Sequence, residues 1–162
     1  MSKWYGSVNN RIEEGKNFTG REIQVGDNIT EYLWSDRHCY YVTAVENQKR
    51  IKVKPYIVVH DHSKEWYMGN QDWVYFKTAK EADEYLRWFG KSYTANASDE
   101  ETWVFRYGKW MTEFRHDEMR RPDAYSKRER EHFAKHGWFN TYHDLSGKVS
   151  FGVRDYYYDW EF

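Results

Sequence analysis

The sequence predicts an α+β fold, an antiparallel sheet or small SH3-like barrel carrying two or three short helices. Three observations point there. Between Ile23 and His60, β-rich runs follow one another through short polar connections, the pattern of a meander. The segment 78–90, TAKEADEYLRWFG, has helical periodicity with a start and a stop signal. The chain of 162 residues is the size of one domain, 1–162, and can bury a core without metal or disulfide staples.

Composition narrows the function class. Nine Trp, fifteen Tyr and nine Phe make 20% of the chain, so aromatic area can build the core although charged residues make 31%. Tyr, Trp and Arg also dominate binding hot spots and stack on bases. The formal net charge of −1 speaks against an overall basic nucleic-acid binder and against a polyanionic DNA mimic. Cys39 is the single cysteine, so neither an intrachain disulfide nor a Cys-based zinc site is available. The start, MSKWYGSVNN, lacks an apolar signal core, and no apolar run approaches the ~18 residues of a membrane span. A soluble cytoplasmic protein with no membrane partner is expected.

Taken in order, GSVNNRIEEG (6–15) reads as a short helix capped by Ser7 and stopped by Gly15. REIQVGD reads as a strand and turn. ITEYLW and CYYVTAVE read as paired strands joined by Ser35-Asp36-Arg37-His38, and KRIKVKPYIVVH as the next strand after a turn at ENQK. In RIKVK, Ile51 and Val53 face one way while Arg50, Lys52 and Lys54 face the other. Pro55 restricts that strand to an edge or marks a bend. Thr78 and Glu81 make a capping-box pattern for the 78–90 helix, with Gly90 as its stop. Residues 96–101 read as a loop, and 102–115 as a hairpin turning at Tyr107-Gly108-Lys109. The stretch 115–136 differs in kind, with seven Lys/Arg and five Asp/Glu. Ser126 and Glu129 form a second capping box there, and 115–147 reads as a polar helical insertion weakly anchored through Phe133. KVSFGVRDYYYDWEF closes the chain as a strand-like end.

Two segments carry a resemblance. VGDNITEYLWSDRHCYYVTAV (25–45) has the pattern V-G-x-x-x-T-x-x-x-W-S-D-R-H-x-Y-x-V, and SFGVRDYYYDWEF (150–162) the pattern G-x-x-x-x-Y-Y-D-[YW]-x-F. Both resemble a group of small phage and prophage accessory proteins, and the KWYGSVNNRIEEG start is similar to the longer members from phages of Gram-positive hosts. The likeness covers 3–60 and 149–162 and leaves out 61–148. It implies a mobile-element accessory protein acting in the cytoplasm of the infected bacterial host, without implying a mechanism. Cys39 stands where the group commonly has Ala or Pro, which speaks against a nucleophilic thiol.

Each chemistry-bearing group also has a plain structural role. His38 as a general base oriented by Asp36, with Arg37 holding an anion, would need a nucleophile that no motif supplies. A turn in which Ser35 and Asp36 bond the local backbone and Arg37 pairs with a carboxylate accounts for the same residues. His60 and His62 share a strand face, and His132 and His136 a helix face, but neither pair brings a third ligand or the Glu of H-E-x-x-H. Asp155, Asp159 and Glu161 alternate with aromatics and define no cleft. No enzyme, metal or cofactor is therefore expected. The reading is of a protein whose partner is a host or phage protein, in its specific form one that binds and inhibits a host protein, a defence component in an anti-CRISPR-like manner. Its partner surface would draw on Arg37, His38, Trp66, Tyr67, Trp88, Trp110, Trp138 and Tyr142. The alternative is a small β-barrel binding nucleic acid through Lys49, Arg50, Lys52 and Lys54.

Overall fold

The computed structural model describes residues 22–96 and 98–159; the expected helix at 6–15 lies outside them. The described chain is α+β and mostly antiparallel. Strands β1 (Asn28–Tyr32), β2 (Arg37–Asn47), β3 (Arg50–Pro55), β6 (Glu101–Arg106), β7 (Lys109–His116), β8 (Phe139–Asp144) and β9 (Lys148–Phe151) form one sheet in the order β8-β7-β6-β3-β2-β1-β9. Strands β4 (Ile57–His60) and β5 (Trp73–Phe76) form a separate two-stranded sheet. Helices α1 (Ala79–Trp88) and α2 (Lys127–His136), with a short 3-10 turn at Pro122–Ala124, complete it. No helix among the described residues is long and apolar enough to cross a membrane.

The sheet is rolled. Strands β8 and β9 lie at its opposite edges, yet only residues 145–147 connect them. Four Cα steps of 3.8 Å hold those edges within about 15 Å of each other. No ladder joins β8 to β9 among the described residues, so the roll is open and a closed SH3-like barrel is not what is seen. Inside it, cross-strand partners stack in register: Ile29 opposite Tyr40 and Phe151, Val42 opposite Val53, Ile51 opposite Trp103, Phe105 opposite Trp110. Ile29, Val53, Trp103 and Phe151 are completely buried in this cluster.

Local signals were followed closely where hydrogen bonding is local. Tyr107 and Gly108 both take positive φ (54° and 76°), the geometry of a two-residue primed turn that matches strand twist in the β6–β7 hairpin. Thr78 accepts from the Glu81 N–H at 3.2 Å to start α1. At α2 the capping box is reciprocal: the Glu129 N–H donates to Ser126 Oγ, and the Ser126 N–H donates to the Glu129 carboxylate.

Elsewhere long-range pairing overrode the local pattern. Residues 22–27 form a turn rather than a strand, because the Gln48 side-chain amide takes both backbone groups of Ile23 (2.7 and 3.0 Å) in place of a strand neighbour. The run from Arg50 to His60 divides into β3 and β4. Pro55 sits at the end of a central strand, beyond the four residues that pair with β6, so it marks a bend and not an edge. The region 115–147 is no projecting insertion. It contributes the end of β7 and the whole of β8, and α2 packs Phe133 against the buried Phe139 (5.8 Å). Only β9 of the C-terminal stretch is a strand among the described residues; beyond Phe151 the one β-bridge to the sheet joins Arg37 and Tyr157, and side-chain bonds from Thr30 and Arg37 add to it.

Candidate functional site

Trp34, Ser35 and Asp36 form the tip of the β1–β2 hairpin, with the Leu33 N–H donating to the Asp36 carbonyl at 2.9 Å. Arg37 and His38 are not in the tip; they are the first residues of β2, opposite Tyr32 and Glu31. Adjacent strand residues face opposite ways, so the two side chains diverge. Arg37 pairs with Asp155 at 2.5 Å and lies over the Tyr157 ring, while His38 stacks near Tyr156. Asp36 bonds not the local turn but the N–H of Asp159, at 2.7 Å. Thr30 adds two bonds to the same segment, donating to the Val153 carbonyl and accepting from the Asp155 N–H. Residues 25–45 and the end of the chain thus form one hydrogen-bonded unit.

That unit extends to a third turn. Gln71 exchanges bonds with the backbone of Tyr158, donating to its carbonyl and accepting from its N–H. The buried Asn70 ties down the loop before it, its side chain donating to the Glu65 carbonyl and its N–H to the Tyr67 carbonyl. Trp66, Tyr67 and Met68 on this loop, and Trp34 on the hairpin tip, stay outside the core; Trp34 is 94% exposed. Such large apolar groups held in solvent by fixed turns are the informative kind of exposure.

The other candidate residues scatter. Trp88 is exposed on the outer side of α1. Trp110 is no surface residue: it is 3% exposed and packs on Phe105 and Phe151, because β7 alternation turns it into the roll. Lys49, Arg50, Lys52 and Lys54 follow the expected alternation but do not form an open cationic stripe. Arg50 is bridged to Glu46 and Glu113, and Lys52 to Glu100 at 3.8 Å. Cys39 is buried, and that burial pushes its thiol up from the ordinary value, away from a thiolate. His60 and His62 stand 5.6 Å apart, ring to ring, and His132 and His136 4.4 Å. No group of three His, Cys, Asp or Glu side chains that could hold a metal occurs among the described residues.

Trp138 and Tyr142 do come together. They line a groove of about 440 Å³ between α2 and β8, with Arg106, Arg128, His132 and Asn140. The Arg106 guanidinium lies 4.0 Å from the Tyr142 ring centre, and Arg115 covers Trp138 at 4.7 Å. His132 Nδ1 donates to the Trp138 carbonyl at 2.8 Å, which fixes the ring and leaves Nε2 as the acceptor of the neutral form. Burial and the Glu113 carboxylate push the Tyr142 hydroxyl up from its usual range. Arg106, Arg128 and Asn140 were not singled out by sequence reasoning. The Ser126 capping box does place Arg128 in the first turn of α2, but nothing local reveals that β8 pairs with β7.

No protein-family model, curated protein or solved structure matches the chain.

Proposed function

We propose that this chain is a phage-type accessory protein that acts by binding and inhibiting a host protein, with a defence component as the target class. The observation that carries the reading is the joining of its two family-like segments. The V-G-x-x-x-T-x-x-x-W-S-D-R-H hairpin and the tyrosine-rich C-terminal segment are far apart in sequence, yet Arg37, Asp36 and Thr30 fasten one to the other. What the unit holds out to solvent is Trp34, with Trp66, Tyr67 and Met68 on the adjoining loop. Aromatic anchors on rigid turns lose little entropy on binding, and the flanking Arg37 and Asp155 supply a polar rim. Near-neutral net charge suits a protein partner better than a polyanion.

The test is affinity capture from lysates of defence-bearing bacterial hosts, using the intact chain and a Trp34→Ala/Trp66→Ala variant. The expected result is one stoichiometric partner retained by the parent and lost at least tenfold in the variant, whose thermal midpoint stays within a degree or two. Equal capture by both proteins, or capture of no stoichiometric partner from any such host, would overturn the proposal.

A further inference from the structure

We propose that the groove between α2 and β8 is a nucleotide-binding site, taking the planar base of a nucleoside phosphate against its aromatic wall and the phosphate on its arginines. Three independent features of the groove converge on that chemistry. The first is charge. Six of the ten described arginines pair with carboxylates: Arg37 with Asp155, Arg50 with Glu46 and Glu113, Arg87 with Asp83, Arg115 with Asp117, Arg120 with Glu118 and Arg121 with Asp123. Arg106 and Arg128, both in the groove wall, have no carboxylate partner among the described residues. The one acid in the wall, Glu129, is committed to the Ser126 N–H at 2.8 Å. A guanidinium presents a planar fork of donors matched to phosphate oxygens, so two without a carboxylate, Arg128 exposed and Arg106 resting on the Tyr142 ring, favour an anionic ligand.

The second feature is an unanswered acceptor. Asn140 Oδ1 is buried and has no hydrogen-bond partner among the described residues. Buried polar atoms of this kind are rare and call for a donor. The amino and ring N–H groups of a nucleobase edge are such donors. A bare phosphate or carboxylate is not.

The third is shape and wall chemistry. About 440 Å³ lies within the range of small-molecule sites, which runs from roughly 300 to 1,000 Å³. Trp138, Tyr142 and the oriented His132 ring give the wall π-surface suited to a flat heterocycle. Glu113 stands behind Tyr142, neutralised by Arg50 at 2.5 Å, and so does not repel an anion. The site is separate from the Trp34 surface and stands whether or not that surface binds a protein.

Isothermal titration of the intact chain with each of the four common ribonucleoside monophosphates, inorganic phosphate and a ten-nucleotide single strand tests the proposal. The expected result is one-site binding of at least one monophosphate, tenfold or more tighter than phosphate. Arg128→Glu should weaken it at least tenfold without moving the thermal midpoint, since Arg128 is exposed and holds no structural bond. Asn140→Leu should erase the discrimination between bases. A strand binding more than tenfold tighter than every monophosphate also supports the site and identifies its source as nucleic acid. Binding of phosphate as tight as any nucleotide, affinity unchanged in Arg128→Glu, or no heat with any nucleotide or strand would overturn it.

Discussion

The outer face of the seven-stranded sheet has two flanks, built from similar residues and finished differently. Over β1–β3, Tyr56 packs on Tyr41 and Tyr75 of the small sheet β4–β5 packs on Tyr56, and Arg154 lies over both Tyr56 and Tyr75 (5.2 and 4.4 Å). The tail then seals the edge through Thr30, Asp36 and Arg37. Over β6–β8, Arg106 lies on Tyr142 and Arg115 on Trp138 in the same cation–π manner. The highly charged α2 flanks them, anchored through Phe133 on Phe139 and His132 on Trp138. One flank has its arginine–tyrosine layer roofed by a second sheet; the other leaves it as the wall of a groove. The difference teaches that composition does not separate a packing layer from a binding surface. What separates them is whether the chain returns to cover the layer.

The largest expected effect removes the support of both flanks at once. Trp103 is completely buried inside the roll, and Trp103→Ala should cost about 3–5 kcal/mol through lost burial and the cavity left behind. Urea unfolding reads it; a loss under about 1 kcal/mol would mean that the inner face is not the common base of the two flanks. Next comes the link between the sheet edges. A Cβ at Gly147 would meet the Tyr32 carbonyl oxygen at 2.0 Å, a backbone atom that cannot turn aside. Gly147→Ala should therefore destabilise by about 1–3 kcal/mol, as overpacking does, and loosen amide protection in β1 and β9 first.

A smaller change should act on one flank alone. Ser126→Ala removes the start of α2 and should cost about 1 kcal/mol, with hydrogen exchange rising in α2 while β4–β5 keep their protection. Equal loosening of both flanks would break the comparison. The smallest effect is a pH dependence inside the roll. Burial, with the charge of Glu31 as the second cause, raises the Glu101 carboxyl above its ordinary value. The folded state then holds this proton more tightly than the unfolded one, so the group's contribution declines as pH rises from the ordinary Glu range through the raised value. Glu101→Gln should raise the unfolding midpoint at pH 7 and flatten its slope across that window. A midpoint unchanged at pH 7 would show that the carboxylate is not strained there.

Features set by neighbours in sequence were legible. The caps of α1 and α2 depend on residues three apart, and the Tyr107-Gly108 turn on two backbone conformations, so both helices and the β6–β7 hairpin could be read directly. The in–out alternation of Ile51 and Val53 against Arg50 and Lys52 was equally plain. Features that depend on a distant partner were not. Pro55 reads the same at an edge as at the end of a central strand, and only the short overlap with β6 decides between them. Trp110 and Trp88 are alike as letters; strand alternation sends one into the roll, and helix rotation sends the other to solvent. Arg50 and Lys52 promise a cationic stripe until Glu113 and Glu100, from other strands, are brought beside them.

By itself, then, the sequence determined an aromatic-rich α+β chain with antiparallel hairpins and two capped helices. The tertiary structure decided which charges cancel, which aromatics are walls or anchors, and that the Asp36 side chain at the hairpin tip is taken by the Asp159 N–H. The reason is range. Capping and turn energies act over a few residues of chain, whereas ion pairing, desolvation and sheet order depend on what the fold carries in from a hundred residues away.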